Sequence, residues 1–119
     1  MPLVEADTFK TLQAAVDEPE TYARGTERQS LKAAFDIASS QITKEIFDFE
    51  AETRMMLRSR LNEEKVPEQY AKLIAALKKA LAGADPLDNS GGYNDDDEEI
   101  ADFVRRLLGP LVKAIGPFQ

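Results

Sequence analysis

Hydrophobic positions along this chain recur at spacings of three and four, and nowhere is there a sustained alternation of period two. Phe9, Leu12, Ala15 and Val16 form the first such run, with Asp7 or Thr8 placed to cap it, which predicts a short helix over 8–16. In "DEPETYARG", Pro19 starts a further turn and Gly25 closes it. Thr26-Glu27-Arg28-Gln29 then has the spacing of a capping box, in which the Thr oxygen takes an unpaired amide and the Gln side chain reaches back. Behind it come Leu31, Phe35, Ala38, Ile42, Ile46, Phe49, Thr53 and Met56, all three or four apart. A second set, Ile37, Phe47, Met55, Leu57 and Leu61, lies off that stripe, so the element needs more than one neighbour to cover it.

Neither Gly nor Pro occurs between Thr26 and Val66. An unbroken helix over 27–61 would be about 52 Å long at 1.5 Å per residue. A compact chain of this size is only about 35 Å across. The helix is therefore expected to break, with Ser39-Ser40 as the favoured point, or to project and require a partner. Val66-Pro67 opens the next element with Pro67 at the first helical position. Tyr70, Leu73, Ile74, Leu77 and Leu81 make its apolar face, and Gly83 ends it. The stretch "ADPLDNSGGYND" reads as a mobile loop. The last helix is expected to start near Asp95–Asp97 and carries Ile100, Phe103, Val104, Leu107 and Leu108. Gly109-Pro110 interrupts it, and a turn restarts with Leu111, Val112 and Ile115 before Gly116-Pro117. The expected architecture is one all-α domain over 1–119: a small bundle of about four helices with one long central helix, a flexible acidic loop at 84–96 and a Gly-Pro-broken C-terminal arm at 109–119.

Composition narrows the function. The 119 residues include no Cys and no His. The commonest general bases, thiol nucleophiles and nearly all zinc or iron ligation are thereby excluded. The expectation is a protein that is not an enzyme and holds no cofactor or metal. No leader-like opening and no run approaching roughly 18 apolar residues is present, which predicts a cytoplasmic or virion protein that is not secreted. The net charge of −7 is local. Asp85 to Asp102 holds eight acids and no base, which leaves the rest of the chain at +1.

Five of those acids, Asp95, Asp96, Asp97, Glu98 and Glu99, are consecutive. An EF-hand register from Asp88 puts Ser90 at position 3 and Glu99 at position 12, but leaves Gly92 at 5 and Tyr93 at 6, where a ligand and the sharp-turn glycine belong. Acids at a helix start stabilise it through the unpaired amides and the macrodipole, and Asp95 with Glu98 even has capping-box spacing. Five neighbouring carboxylates exceed that need, so the segment is also a candidate docking site for a basic partner. Arg54, Arg58, Arg60 and Lys65 crowd the end of the long helix, and Lys72, Lys78 and Lys79 follow. Bases there suit a helix carboxyl end, and they are also placed to meet the acids of a neighbouring copy head to tail. Without interleaved aromatics they do not point to direct nucleic-acid binding. The segment "FVRRLLGPLVKAIGPFQ" either packs on its own bundle or docks on another subunit through Leu111, Ile115 and Phe118. It is too short, and follows too dense an acid run, for a membrane role.

The order of elements resembles tailed-phage head–tail connector (adaptor) proteins. The likeness rests on "LKAAFDIASSQI" at 31–42, "VPEQYAKLIAALKKAL" at 66–81, a polar loop, and "VRRLLGPL" at 104–111. It implies a ring-forming virion component that touches a portal above and a stopper or tail component below. The first functional reading is thus a non-enzymatic assembly protein with protein partners, foremost other copies of itself. The second is an acidic regulator or inhibitor whose Asp95–Glu99 segment imitates nucleic-acid phosphates on a basic enzyme site. A plain helical dimer of regulatory type is the third.

Overall fold

The computed structural model describes residues 2–88 and 94–119, the side chains of 94–96 excepted. Among the described residues there is no strand. Helix α1 runs Ala6–Asp17, α2 is one turn at Pro19–Tyr22, and α3 is the 23-residue helix Gly25–Phe47. Helices α4 (Arg54–Glu63) and α5 (Ala71–Ala82) follow, then α6 (Asn94–Phe103) and α7 (Gly109–Ile115). Short 3-10 turns stand at Glu68–Tyr70, Asp85–Asp88 and Gly116–Phe118.

Helix α1 begins at Ala6, two residues before the predicted start, and Glu5 rather than Asp7 or Thr8 is the cap residue. No side chain caps it locally. Instead the Glu5 N–H donates to Oε1 of Gln41 on α3, at 2.9 Å. A tertiary contact here does the work of a local cap, which is why the cap rule missed the boundary. Pro19 does open α2, as expected. Gly25 does not close it but begins α3 with φ +60, a left-handed conformation that glycine adopts without penalty. The capping box at Thr26–Gln29 does not form, because α3 has already started and Thr26 lies inside its first turn.

The central helix does not break at Ser39-Ser40. Ser39 Oγ donates to the Phe35 carbonyl at 2.8 Å, and Thr43 Oγ1 donates to the Ser39 and Ser40 carbonyls at 3.1 Å. Their hydroxyls are satisfied by the helix itself, so Ser39 and Thr43 are buried without disrupting it. The break comes at Asp48, which adopts φ 57 and ψ 39 after the end of α3. Asp48, Glu50 and Glu52 follow a helix carboxyl end, where the macrodipole disfavours acids. Thr53 then caps α4, accepting the Met56 N–H at 3.1 Å. Thr53 therefore belongs to a turn and not to the apolar stripe. The reversal yields a molecule of 40 × 26 × 20 Å with a radius of gyration of 13.5 Å, in place of a projecting rod.

Most of both apolar sets on 31–61 is covered. Leu31, Phe35, Ala38 and Ile42 are buried from α3, Phe49 from the turn, and Leu57 and Leu61 from α4. Among the described residues of this stretch the exposed large hydrophobics are Ile37, Met55 and Met56, at 45%, 80% and 51%. Helix α5 buries Leu73, Ile74, Leu77 and Leu81, as its periodicity predicts. Gly83 ends it with an ordinary φ of −101. A Cβ there would meet the Leu107 Cδ1 methyl, so a larger residue at this position requires the Leu107 side chain to move.

The segment expected to be a flexible loop over 84–96 is in part packed: Ala84 and Leu87 are buried, and α6 starts at Asn94. Its residues 89–93 lie outside the described residues. Nor is there a broken arm at 109–119. A π turn, Val104–Leu108, joins α6 to α7, with the Gly109 N–H bonded to the Val104 carbonyl. This wider turn shifts the hydrogen-bond register where Pro110 has no N–H to give, so the helix absorbs the proline without ending. Helix α1 packs on α3 and α7, α2 on α3 and α6, and α5 on α4 and α7.

The left-handed Asp48 is the hinge of the reversal, and it yields a direct test. Asp48→Val should destabilise the fold by about 1–2 kcal/mol, because a β-branched residue resists that conformation. Asp48→Gly should match or exceed the parent melting temperature, and thermal melts followed by circular dichroism compare the two.

Candidate functional site

The bases expected to form one partner surface are distributed over different tasks. Arg54 opens α4 and turns inward, its side chain 16% exposed. Its Nε donates to Asp36 Oδ1 at 2.8 Å, and one terminal nitrogen donates to the Ala84 carbonyl at 3.1 Å. The terminal nitrogens together grip Asp88, at 2.6 and 3.1 Å. The guanidinium also lies 5.9 Å from the centroid of the Phe35 ring. A planar fork with this many donors suits a bidentate carboxylate, a carbonyl and a ring face at once. Arg54 thus ties α4 to α3 and to the 85–88 turn, and its charge is committed inside the molecule.

Arg60 points elsewhere, 4.4 Å above the Phe49 ring and 3.9 Å from Glu64. Arg58 is exposed and lines a groove of about 750 Å³ with Met55, Asp36 and the α5 residues Leu81 and Ala82. So Arg54, Arg58 and Arg60 do not make a single basic patch.

The acidic segment occupies the first turns of α6, as expected of acids beside unpaired amides. The side chains of Asp95 and Asp96 lie outside the described residues. Asp97 pairs with Arg24 at 3.2 Å, and Arg105 pairs with Glu20. The first joins the start of α6 to the segment between α2 and α3, the second joins α2 to the π turn after α6, and both line an open cleft of about 910 Å³ with Glu98, Glu99 and Asp102. Glu98 and Glu99 are exposed. The cleft is acidic, but its own arginines offset part of that charge. Among the described residues no three carboxylates converge as a metal site would need.

The predicted arm is closed onto its own bundle. Leu111 and Ile115 are fully buried and unable to meet a partner without unfolding the core. Phe118 is half-buried and packs on Tyr70, ring centroids 5.1 Å apart. Gln119 clamps the opposite terminus: its Nε2 donates to the Val4 carbonyl at 2.8 Å, and its Oε1 accepts the Val4 N–H at 2.9 Å. The Leu3 N–H adds a bond to the Phe118 carbonyl at 3.1 Å. Pattern reading could not find this pairing, because it joins residues 115 positions apart.

One further surface went unread in the sequence. Between α5 and α7 lies an apolar groove of about 730 Å³, floored by Leu73, Ala76, Pro110, Ala114 and Phe118, with Lys72, Lys113 and Glu68 on its rim. Its signal was the small-residue spacing of Ala76 on one helix and Pro110 with Ala114 on the other, which lets the helices leave a trough between them. Among the described residues no helix is long and apolar enough to cross a membrane. Comparison with family models, with curated proteins and with solved structures finds no match.

The Arg54 tie predicts that Arg54→Ala lowers stability by about 2 kcal/mol, since several charge-assisted hydrogen bonds go while the freed, half-exposed carboxylates regain water. Arg54→Lys should recover less than half of that, because one ammonium cannot copy the fork. Urea unfolding of the three proteins, read at the midpoint, checks the order.

Proposed function

We propose that this chain is a non-enzymatic assembly module that works by associating with further copies of itself, most specifically as a connector-type ring subunit. The observation carrying the reading is the pair Met55 and Met56, adjacent at the start of α4 and exposed at 80% and 51%. Single exposed hydrophobics are ordinary. Two neighbouring flexible apolar side chains, on a molecule that buries nearly all its other large ones, mark a contact surface.

The absence of His and Cys, which removes the commonest general base and the thiol nucleophile, supports a non-catalytic role. The resemblance of residues 31–42, 66–81 and 104–111 to head–tail connectors supplies the more specific form of the proposal. The acidic-regulator reading draws on the α6 cleft, yet Arg24 and Arg105 already occupy carboxylates there. A phosphate mimic needs its charge uncompensated, so that reading is the less supported.

Light scattering coupled to size separation tests the proposal. The expected result is a mass that is a multiple of 13.2 kDa and that rises with concentration. A monomer at every concentration examined would overturn it.

A further inference from the structure

We propose that copies of the chain associate head to tail through one contact, in which Met55 and Met56 of one molecule seat in the α5–α7 groove of the next. This deepens the self-association reading and rests on it.

The two surfaces match in chemistry. The groove is floored by Leu73, Ala76, Pro110, Ala114 and Phe118, and at about 730 Å³ it is roomy enough for more than one side chain. Methionine is unbranched and polarisable, suits an irregular trough, and gains from sulfur–aromatic contact such as Phe118 offers. The rims match in charge. Lys72 and Lys113 flank the groove and are exposed. Glu50 and Glu52 precede the methionine pair and are exposed as well. Among the described residues none of these four charges is in an ion pair. Arg58, exposed just beyond the pair, has its counterpart in Glu68 on the groove rim. Arg54, the other nearby base, is already held by Asp36 and Asp88.

Neither methionine lines the groove of its own molecule. Met55 lies beside Leu81 and Ala82, at the carboxyl end of α5, whereas the groove uses Leu73 and Ala76 in its amino half. Leu73 and Leu81 are about 12 Å apart along the helix axis. The methionine pair therefore meets the groove of another copy, through unlike patches on the two molecules. Such a contact is heterologous, so an open series always keeps one unfilled groove at one end and one unseated pair at the other, and only ring closure satisfies both.

Two exposed-residue variants of the full chain test this by light scattering: Met55→Glu with Met56→Glu, and Lys72→Glu with Lys113→Glu. Each alone should associate at least tenfold more weakly than the parent while melting within a few degrees of it. Mixed in equal amounts, the second variant's methionines should fill the first variant's groove, giving a 1:1 pair that stops at two copies. Met55→Gln with Met56→Gln serves in place of the charged pair if that variant fails to fold. Variants that assemble like the parent, or a mixture that stays monomeric, would overturn this contact and leave self-association standing. A monomeric parent would overturn both.

Discussion

Phe35 is where the molecule is held together. Its ring, fully buried at the middle of α3, meets Phe103 of α6 edge to face at 5.7 Å and 88°. The Arg54 guanidinium covers it from the side of α4. A 23-residue helix with apolar positions around much of its circumference cannot be hidden by one neighbour. It must be enclosed by several, and Phe35 is the residue that α3, α4 and α6 share. Removing a buried ring of this kind leaves a cavity worth about 3–5 kcal/mol, a large share of the stability of a small domain.

The Arg54 fork turns that packing into geometry. By gripping Asp36 and Asp88 it holds the start of α4 against α3 and the 85–88 turn. The first turn of α4 is then fixed with Met55 and Met56 facing outward. An interior tie therefore sits directly beneath the most exposed large apolar side chains among the described residues. The same economy operates at the other end, where Gln119 and Phe118 bind Val4 and Leu3 and press α7 onto α1 and α5. A loose arm would have left no wall for the α5–α7 groove. Closing it commits Leu111 and Ile115 to the core.

The acids divide in the same way between inside and outside. Asp97 and Glu20, with Arg24 and Arg105, brace α2 and the start of α3 against α6 and the π turn that follows it. The acid-rich stretch is thus partly structural, through its helix end and the Asp97–Arg24 pair, and Glu98 and Glu99 remain at the surface.

Helix existence and the α5 face were legible in the chain, because spacing at three and four and proline at a first turn act within a few residues of themselves. Leu73, Ile74, Leu77 and Leu81 are buried where that periodicity put them, and Pro19 opens its turn. The acids at the start of α6 belong to the same local order. The tertiary structure decided where the long helix stops, since Ser39 and Thr43 satisfy themselves inside it and Asp48 turns where α4 can fold back. It also decided the role of Arg54, the continuity through Gly109-Pro110 and the closing of the termini. Each of these depends on groups far apart in the chain. One-dimensional spacing records which face of a helix is apolar, but only packing in three dimensions selects the surface that covers it.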